Sequence, residues 1–310
     1  MQSRWLWLAI PWAIFLILAA GWSAYWYGLS IAVRERLEAV AAREHVGGFK
    51  LSIGAIEARG FPMLLRFDLS DLAVAPLDEE WRISTAAGAL HVQLFNPEHV
   101  IYEARAPIVI ARPDATSTLS AEALIFSVRL AQGAFAQAGV EADALALDDP
   151  ATPGALNIGK LVINLRPDPR AEHEYQIAFA AEALSLPAPV RSFEGLGQDV
   201  ALLRAAIVLE HASALLENDE GDTLGPWSAS GGRLRFEALA LNWGALSTTG
   251  AGWGGLDEHR RLRGELALPI EDPAQLFRAL AAGPGVEDEA RQALTLLSAA
   301  FAQNAEPFTL

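Results

Sequence analysis

From Trp5 to Val33 the chain runs 29 residues without a charged side chain, through "LWLAIPWAIFLILAAGW". At about 1.5 Å per residue the run makes ~43 Å of helix, against roughly 30 Å of bilayer hydrocarbon. Trp5, Trp7 and Trp12 lie towards one end, and Trp22, Tyr25, Trp26 and Tyr27 towards the other. Amphipathic rings at both ends of an apolar run are what two membrane interfaces select. A cleaved signal peptide is the competing reading. The run exceeds an ordinary signal-peptide apolar region, and no clear A-x-A site leads into mature sequence. Residues 1–33 are therefore read as an uncleaved anchor, with the lipid bilayer as its partner.

After the anchor, Ile31, Leu37, Val40 and Ala41 keep helical spacing until Gly47-Gly48, a C-cap signal. This predicts a juxtamembrane helical stalk over 34–48. Arg4 precedes the span and Arg34, Arg36 and Arg43 follow it, so the basic residues do not favour a cytoplasmic N-terminus. The whole chain carries 23 basic and 38 acidic residues, a net charge of −15. A body that acidic repels phosphate backbones and anionic headgroups, which argues against nucleic-acid partners. There is no cysteine, hence no disulfide and no thiolate chemistry.

Residues 49–310 read mainly as strands. Tyr102, Ala104, Ala106, Ile108 and Ile110 alternate with polar neighbours, as do Leu161, Ile163 and Leu165, then Tyr175, Ile177 and Phe179, then Leu262, Leu266 and Leu268. One apolar and one polar face at period two means antiparallel sheet, punctuated at Asn96-Pro97, Pro113-Asp114, Asp149-Pro150 and Gly231-Gly232. Two runs lose step. In "GFPMLLRFDLSDLAV", Leu65, Phe67 and Leu69 give way to Leu72 and Val74; in "RLRFEALALNWG", Leu234 and Phe236 give way to Leu239, Leu241 and Trp243. An extra residue in a β-bulge produces such a slip, and repeated bulges bend a sheet. The fold class is mainly β: a transmembrane helix, then a large curved antiparallel sheet, either a partial barrel or a sandwich, with two C-terminal helices. Those helices fall at about 272–303. Asp272 is the N-cap of the first, Pro273 its first residue, and Gly283-Pro284 its end. The second has acids in its first turn and a predicted buried stripe of Val286, Ala290, Ala293, Leu294, Leu297 and Phe301.

The anchor, the strand start Gly60-Phe61-Pro62, and "LALNWGALSTTGAGWGGLDEHRRLRGELAL" together resemble a bacterial membrane-anchored family catalogued as domain of unknown function 2125. In that late segment Trp243-Gly244 leads into a glycine-rich strand, a turn at Leu256-Asp257, and a strand beginning near Gly264. The chain is also similar, more distantly, to AsmA-like envelope proteins. The resemblance implies a single-pass inner-membrane protein with its C-terminal domain in the periplasm, engaged in envelope lipid homeostasis. It supplies no catalytic residue.

The residues themselves show no G-x-S-x-G elbow, no phosphate loop and no H-E-x-x-H. The glycines of "TTGAGWGGLD" are followed by no lysine and open no helix, so they read as strand. His91 and His99 flank a turn but would not face each other, and "LENDEGD" fails the EF-hand template. The expectation is a non-enzymatic protein with no cofactor or metal. Phe61, Pro62, Phe67, Leu69, Phe236, Trp243 and Trp253 are the candidates for lining an apolar groove or for packing the structure. Trp5, Trp7, Trp12, Trp22 and Trp26 are the anchor residues. Two other functions stay open: a scaffold recruiting envelope proteins, and a hydrolase whose acid pair assembles only in space.

Overall fold

The computed structural model describes residues 3–43, 48–77, 79–152, 154–187, 195–216, 224–257, 259–303 and 308–309. It opens on one helix, α1 (Ser3–Ala41). Its 39 residues extend about 58 Å.

The rest is built on one antiparallel sheet of seventeen strands. In chain order these are β1 (Phe49–Ser52), β2 (Ala55–Arg59), β3 (Leu65–Pro76), β4 (Arg82–Gln93), β5 (Asn96–Ala104), β6 (Ile108–Ala111), β7 (Thr116–Ser120), β8 (Ala123–Ala131), β9 (Ala134–Asp148), β10 (Leu156–Pro167), β11 (Tyr175–Ser185), β12 (Asp199–Leu209), β13 (Arg233–Trp243), β14 (Leu246–Leu256), β15 (Leu262–Ala267), β16 (Pro269–Ile270) and β17 (Phe308–Thr309). Neighbours in sequence mostly pair in space, from β3 with β4 through β9 with β10 to β13 with β14. Short strands share a long partner: β1 and β2 lie end to end along β3, β5 and β6 along β4, β7 and β8 along β9, and β15 and β16 along β14. Among the described residues, β1 and β2 pair with β3 alone, so the sheet curves part of the way round and keeps open edges.

A transverse seam explains the first phase slip. Leu145, Ile158, Leu184 and Val200 are cross-strand neighbours in β9 to β12. Three residues along those strands, Ala142, Leu161 and Ala181 form a second such row. An ordinary strand puts residues three apart on opposite faces. Here both rows enter one core cluster, joined by Ile108, Leu124 and Trp243. Between the rows, Ala144 and Ala183 adopt left-handed backbone (φ 49° and 52°), flanking Gly159 of β10. The seam continues into β3, where Asp71 has φ 49°. On one side of it Leu69 packs in the core; on the other, Leu72 faces the buried Thr85, which in turn faces Ile108. Leu72 therefore keeps to the core face, as the sequence predicts, but by another device. The β3–β4 register is unbroken from Leu65↔Val92 to Val74↔Ile83, so no extra residue is inserted. The backbone at Asp71 reverses the pleat instead.

The second slip is a bulge of the expected kind. In β13 the pairing with β14 jumps from Phe236↔Gly252 to Leu239↔Gly250, and the pairing with β12 shifts at the same place. The glycine-rich β14 is a strand: a Cβ on Gly250 or Gly252 would collide with the β15 backbone at Ala267 or Glu265.

Two short helices, α2 (Ser213–Leu216) and α3 (Leu224–Ala229), precede β13, and Trp227 of α3 is buried. Helices α4 (Pro273–Ala281) and α5 (Asp288–Gln303) follow the sheet. Asp272 caps α4 by accepting from the Gln275 N–H at 2.9 Å. Leu276 joins Leu196 and Ile270 in a small core that seats α4 on the sheet. The α5 stripe differs from the sequence pattern. Arg291, Leu294, Ser298 and Phe301 face inward, whereas Ala290, Ala293 and Leu297 are exposed. Arg291 turns inward because its guanidinium donates to the Ala281 and Val286 carbonyls, closing the end of α4; Ser298 bonds the Ala274 carbonyl.

The seam makes a backbone prediction. Ala183→Gly should leave stability unchanged or raise it by up to about 1 kcal/mol, because glycine carries no penalty at positive φ. Ala183→Val should lower it by roughly 2 kcal/mol. Denaturant melts of the detergent-solubilised chain read both, and equal stability of the two variants would contradict the seam.

Candidate functional site

The C-terminal half of α1 is a structural part of the β body. Trp22, Trp26, Leu29, Val33 and Leu37 follow helical spacing and form one face, which packs on Leu65, Phe67, Leu69, Val92 and Leu94. Trp26 is 3% exposed and Phe67 fully enclosed. Polar groups reinforce the contact. Trp22 Nε1 donates to the Pro62 carbonyl at 2.8 Å, Trp26 Nε1 to the Leu64 carbonyl at 2.8 Å, and the Tyr25 hydroxyl to the Leu94 carbonyl at 2.6 Å. Residues 34–41 continue the helix along β2, and Arg34 donates to the Ile56 carbonyl at 2.9 Å. Within the segment expected as a stalk, Leu37 packs on the same core. Gly48, at φ 82°, is in the left-handed region, while its cap partner Gly47 lies outside the described residues.

From residue 9 to residue 18 the side chains of α1 are exposed. Ile10, Trp12, Phe15 and Leu18 are each at least 50% exposed. From Ala9 onward α1 is long and apolar enough to cross a membrane. Trp5 and Trp7 lie on the helix, but their side chains fall outside the described residues.

Around the point where α1 leaves the body stands a collar of exposed apolar side chains. Phe61, Met63 and Leu64 lie on the β2–β3 loop and Phe95 on the β4–β5 turn. Phe61 stacks on Tyr27 with centroids 5.6 Å apart and meets Trp26 edge-on, while Phe95 meets Trp22 at 5.7 Å. Gly60 at φ 98° opens this loop, and a Cβ there would press on the Leu64 backbone. Gly60-Phe61-Pro62, expected to start a strand, thus forms the turn before it, and β3 starts at Leu65.

The candidate groove residues do not converge. Phe67 and Leu69 are sealed under α1, and Phe61 and Pro62 are at the collar. Trp243 packs between the main core and the α4 contact, its Nε1 donating to the Gly197 carbonyl at 2.9 Å. Phe236 lies beside Gly254. Trp253 lies between the guanidinium groups of Arg233 and Arg263, 4.9 and 5.4 Å from its ring.

A groove does form, on the face opposite the core and from different residues. Val162, Ala180, Arg204, Ala240 and Thr249 make one row of cross-strand neighbours, and Asn164, Ala178, Ala206 and Ala238 the next. They alternate with core residues such as Phe179 and Ala181, which places them on the other side of the sheet. Together they floor an apolar depression of about 340 Å³. It runs through Asn164, Ala178 and Ala206 into a second depression of about 500 Å³, edged by Gln137, Arg166, Gln176 and Glu237. The signal in the sequence is the recurrence of alanine at alternate positions in "QIAFAA" and "EALAL". Alanine on the outer face is neither an apolar nor a polar marker, so a pattern of large side chains passes over it.

The titratable groups are spent on ion pairs. Asp168 is held well below the usual carboxylate range by the Arg170 side chain and then by the Arg170 N–H. Arg170 continues to Glu237 at 2.8 Å, and Glu237 to Arg235 at 2.8 Å. These two arginines also lower Glu237. Burial raises the Glu103 carboxyl, but hydrogen bonds from His91 and Arg105 together outweigh it and set it low. His91 reaches Glu103 at 3.2 Å, across the strand pair and away from His99. Among the described residues no group of three metal-ligating side chains occurs. Most of "LENDEGD" lies outside the described residues.

Compared with known proteins, residues 26–309 match the sequence model of a family described as an uncharacterized protein conserved in bacteria (DUF2125). No curated protein and no solved structure matches the chain.

Two measurements check this arrangement. Trp26→Ala should cost about 3–5 kcal/mol of stability, the usual effect of emptying a buried tryptophan site. Asp168 has a depressed pKa, so its contribution is present above the ordinary carboxylate value and is lost as pH falls below it. Asp168→Asn should therefore be less stable than the parent at neutral pH and lose less on acidification. Parallel acid limbs for the two chains would contradict this.

Proposed function

Since the chain belongs to this bacterial family of uncharacterised proteins, whose members the resemblance places in Gram-negative envelopes, we propose that it is a non-catalytic inner-membrane protein that binds one amphiphilic lipid in the outer groove of its sheet. The body lies on the periplasmic side, held by α1, and its work belongs to envelope lipid homeostasis, as in the distantly similar AsmA-like proteins.

The observation that carries this reading is the polarity gradient along the groove. The alanine floor offers an acyl chain a surface of cross-strand methyl groups, with Arg204 as the charged member of the row. Its continuation past Asn164 offers a headgroup Arg166, Gln176 and Glu237. The combined space falls within the range of small-molecule sites, which are apolar with a few placed polar groups. A non-catalytic role is supported by the carboxylates themselves. Asp168, Asp149, Asp257 and Glu237 all sit low, each accepting from an arginine, which is the opposite of a carboxyl tuned as a general base or acid.

A fluorescent acyl-chain probe, titrated into the detergent-solubilised chain, tests the groove. Ala180→Trp and Ala206→Trp should each weaken binding by about tenfold, or about 1.4 kcal/mol, with unchanged melting temperature. Equal affinity in parent and variants would sink the lipid reading. A phosphatase active only in the periplasm, fused after Leu310, should be active; an inactive fusion with full expression would place the body on the other side.

One observation favours a scaffold as the second reading. All six residues of β15 are exposed, and within the described residues the strand pairs with β14 alone. A free edge accepts a partner strand. In-cell crosslinking from Leu262, which is 90% exposed, should then capture a discrete protein neighbour.

A further inference from the structure

The collar around α1 has the chemistry of a second membrane contact. Phe61, Met63, Leu64 and Phe95 come from two separate loops yet stand together beside one stretch of helix. They are 47, 76, 64 and 88% exposed, a concentration of large apolar side chains that water does not reward. From Gly60 to Leu65 no residue is charged.

Their height matches the bilayer. From Trp5 to Gly21 is about 26 Å of helix, close to one hydrocarbon thickness. That puts Trp22 at the boundary and Tyr27 about 7.5 Å further out, a spacing that fills the interfacial layer. Phe95 touches Trp22, and Phe61 touches Trp26 and Tyr27. With Trp5 and Trp22 at the two ends of the hydrocarbon, both loops lie within that layer. The aromatic residues that the sequence suggests as an interfacial belt and those that hold the loops are the same residues.

Backbone polarity also fits. Loop carbonyls entering a lipid interface need partners. Pro62, Leu64 and Leu94 have theirs, supplied by Trp22, Trp26 and Tyr25. The Leu64 N–H is bonded to the Gly60 carbonyl at 2.9 Å.

We infer that Phe61, Met63, Leu64 and Phe95 insert into the phospholipid interface next to the span, so that the β body rests on the bilayer in a fixed orientation. This rests on α1 spanning the membrane, but not on the groove or on which side the body occupies.

The chain has no cysteine, so one introduced thiol is unique. Met63→Cys, Phe95→Cys, Leu16→Cys and Leu262→Cys, each labelled with an environment-sensitive dye, are reconstituted in phosphatidylethanolamine–phosphatidylglycerol vesicles. Quenching is read with lipids bearing a nitroxide near the headgroup or deep in the chain. Labels at 63 and 95 should be quenched by the shallow lipid at least about twofold more than the label at 262, and the label at 16 by the deep lipid. If 16 is quenched while 63 and 95 match 262, the span stands and the collar inference falls. If 16 is not quenched, the membrane reading itself falls. A blue-shifted label at 63 or 95 that lipid nitroxides do not quench means that protein covers the collar, which also overturns the inference.

Discussion

The contact between α1 and β3 holds the description together. Trp26, buried in one cluster with Leu65, Phe67 and Leu69, gives the helix a fixed rotation and a fixed depth on the sheet. Without it, the apolar run would be a tether and the body a separate domain at the end of it. With it, the exposed apolar half of α1, the collar loops and the sheet form one object. The indole and phenol groups that bond the loop carbonyls also stand where the exposed apolar half of α1 meets the body.

The sheet solves a second problem. A strand of alternating pattern can give one face to a core, yet this body has a single sheet with little else to lay on it. The seam lets both halves of each long strand send side chains to the same cluster, so that Ala142 and Leu145, or Ala181 and Leu184, are core neighbours three residues apart. The cost is left-handed backbone at Asp71, Ala144 and Ala183, of order 1 kcal/mol each. Burial of the flanking leucines and isoleucines offsets it. The opposite face carries the alanine rows, and its groove forms where side chains are small.

Much of this was legible in the residues. The long uncharged run, the strand alternation, the Asp272 cap and the bulge in β13 depend on local spacing, and each appears where local spacing puts it. The rest was not. How the pleat of β3 reverses follows from one φ angle, at Asp71, which is not a property of spacing. The docking of α1 is hidden because Trp22 and Trp26 match a membrane interface and a protein interface equally well. The α5 stripe missed Arg291 because a basic residue reads as surface until its carbonyl partners on α4 are known. The groove was missed because alanine carries no face signal.

Hydrogen exchange on the full chain in lipid nanodiscs tests the central contact most directly. If α1 is part of the β body, amides of residues 30–40 will exchange as slowly as those of β3, since both open only when the shared core opens. Exchange of those helix amides on the timescale of a solvated, isolated helix, with β3 still protected, would show a free stalk and contradict the account.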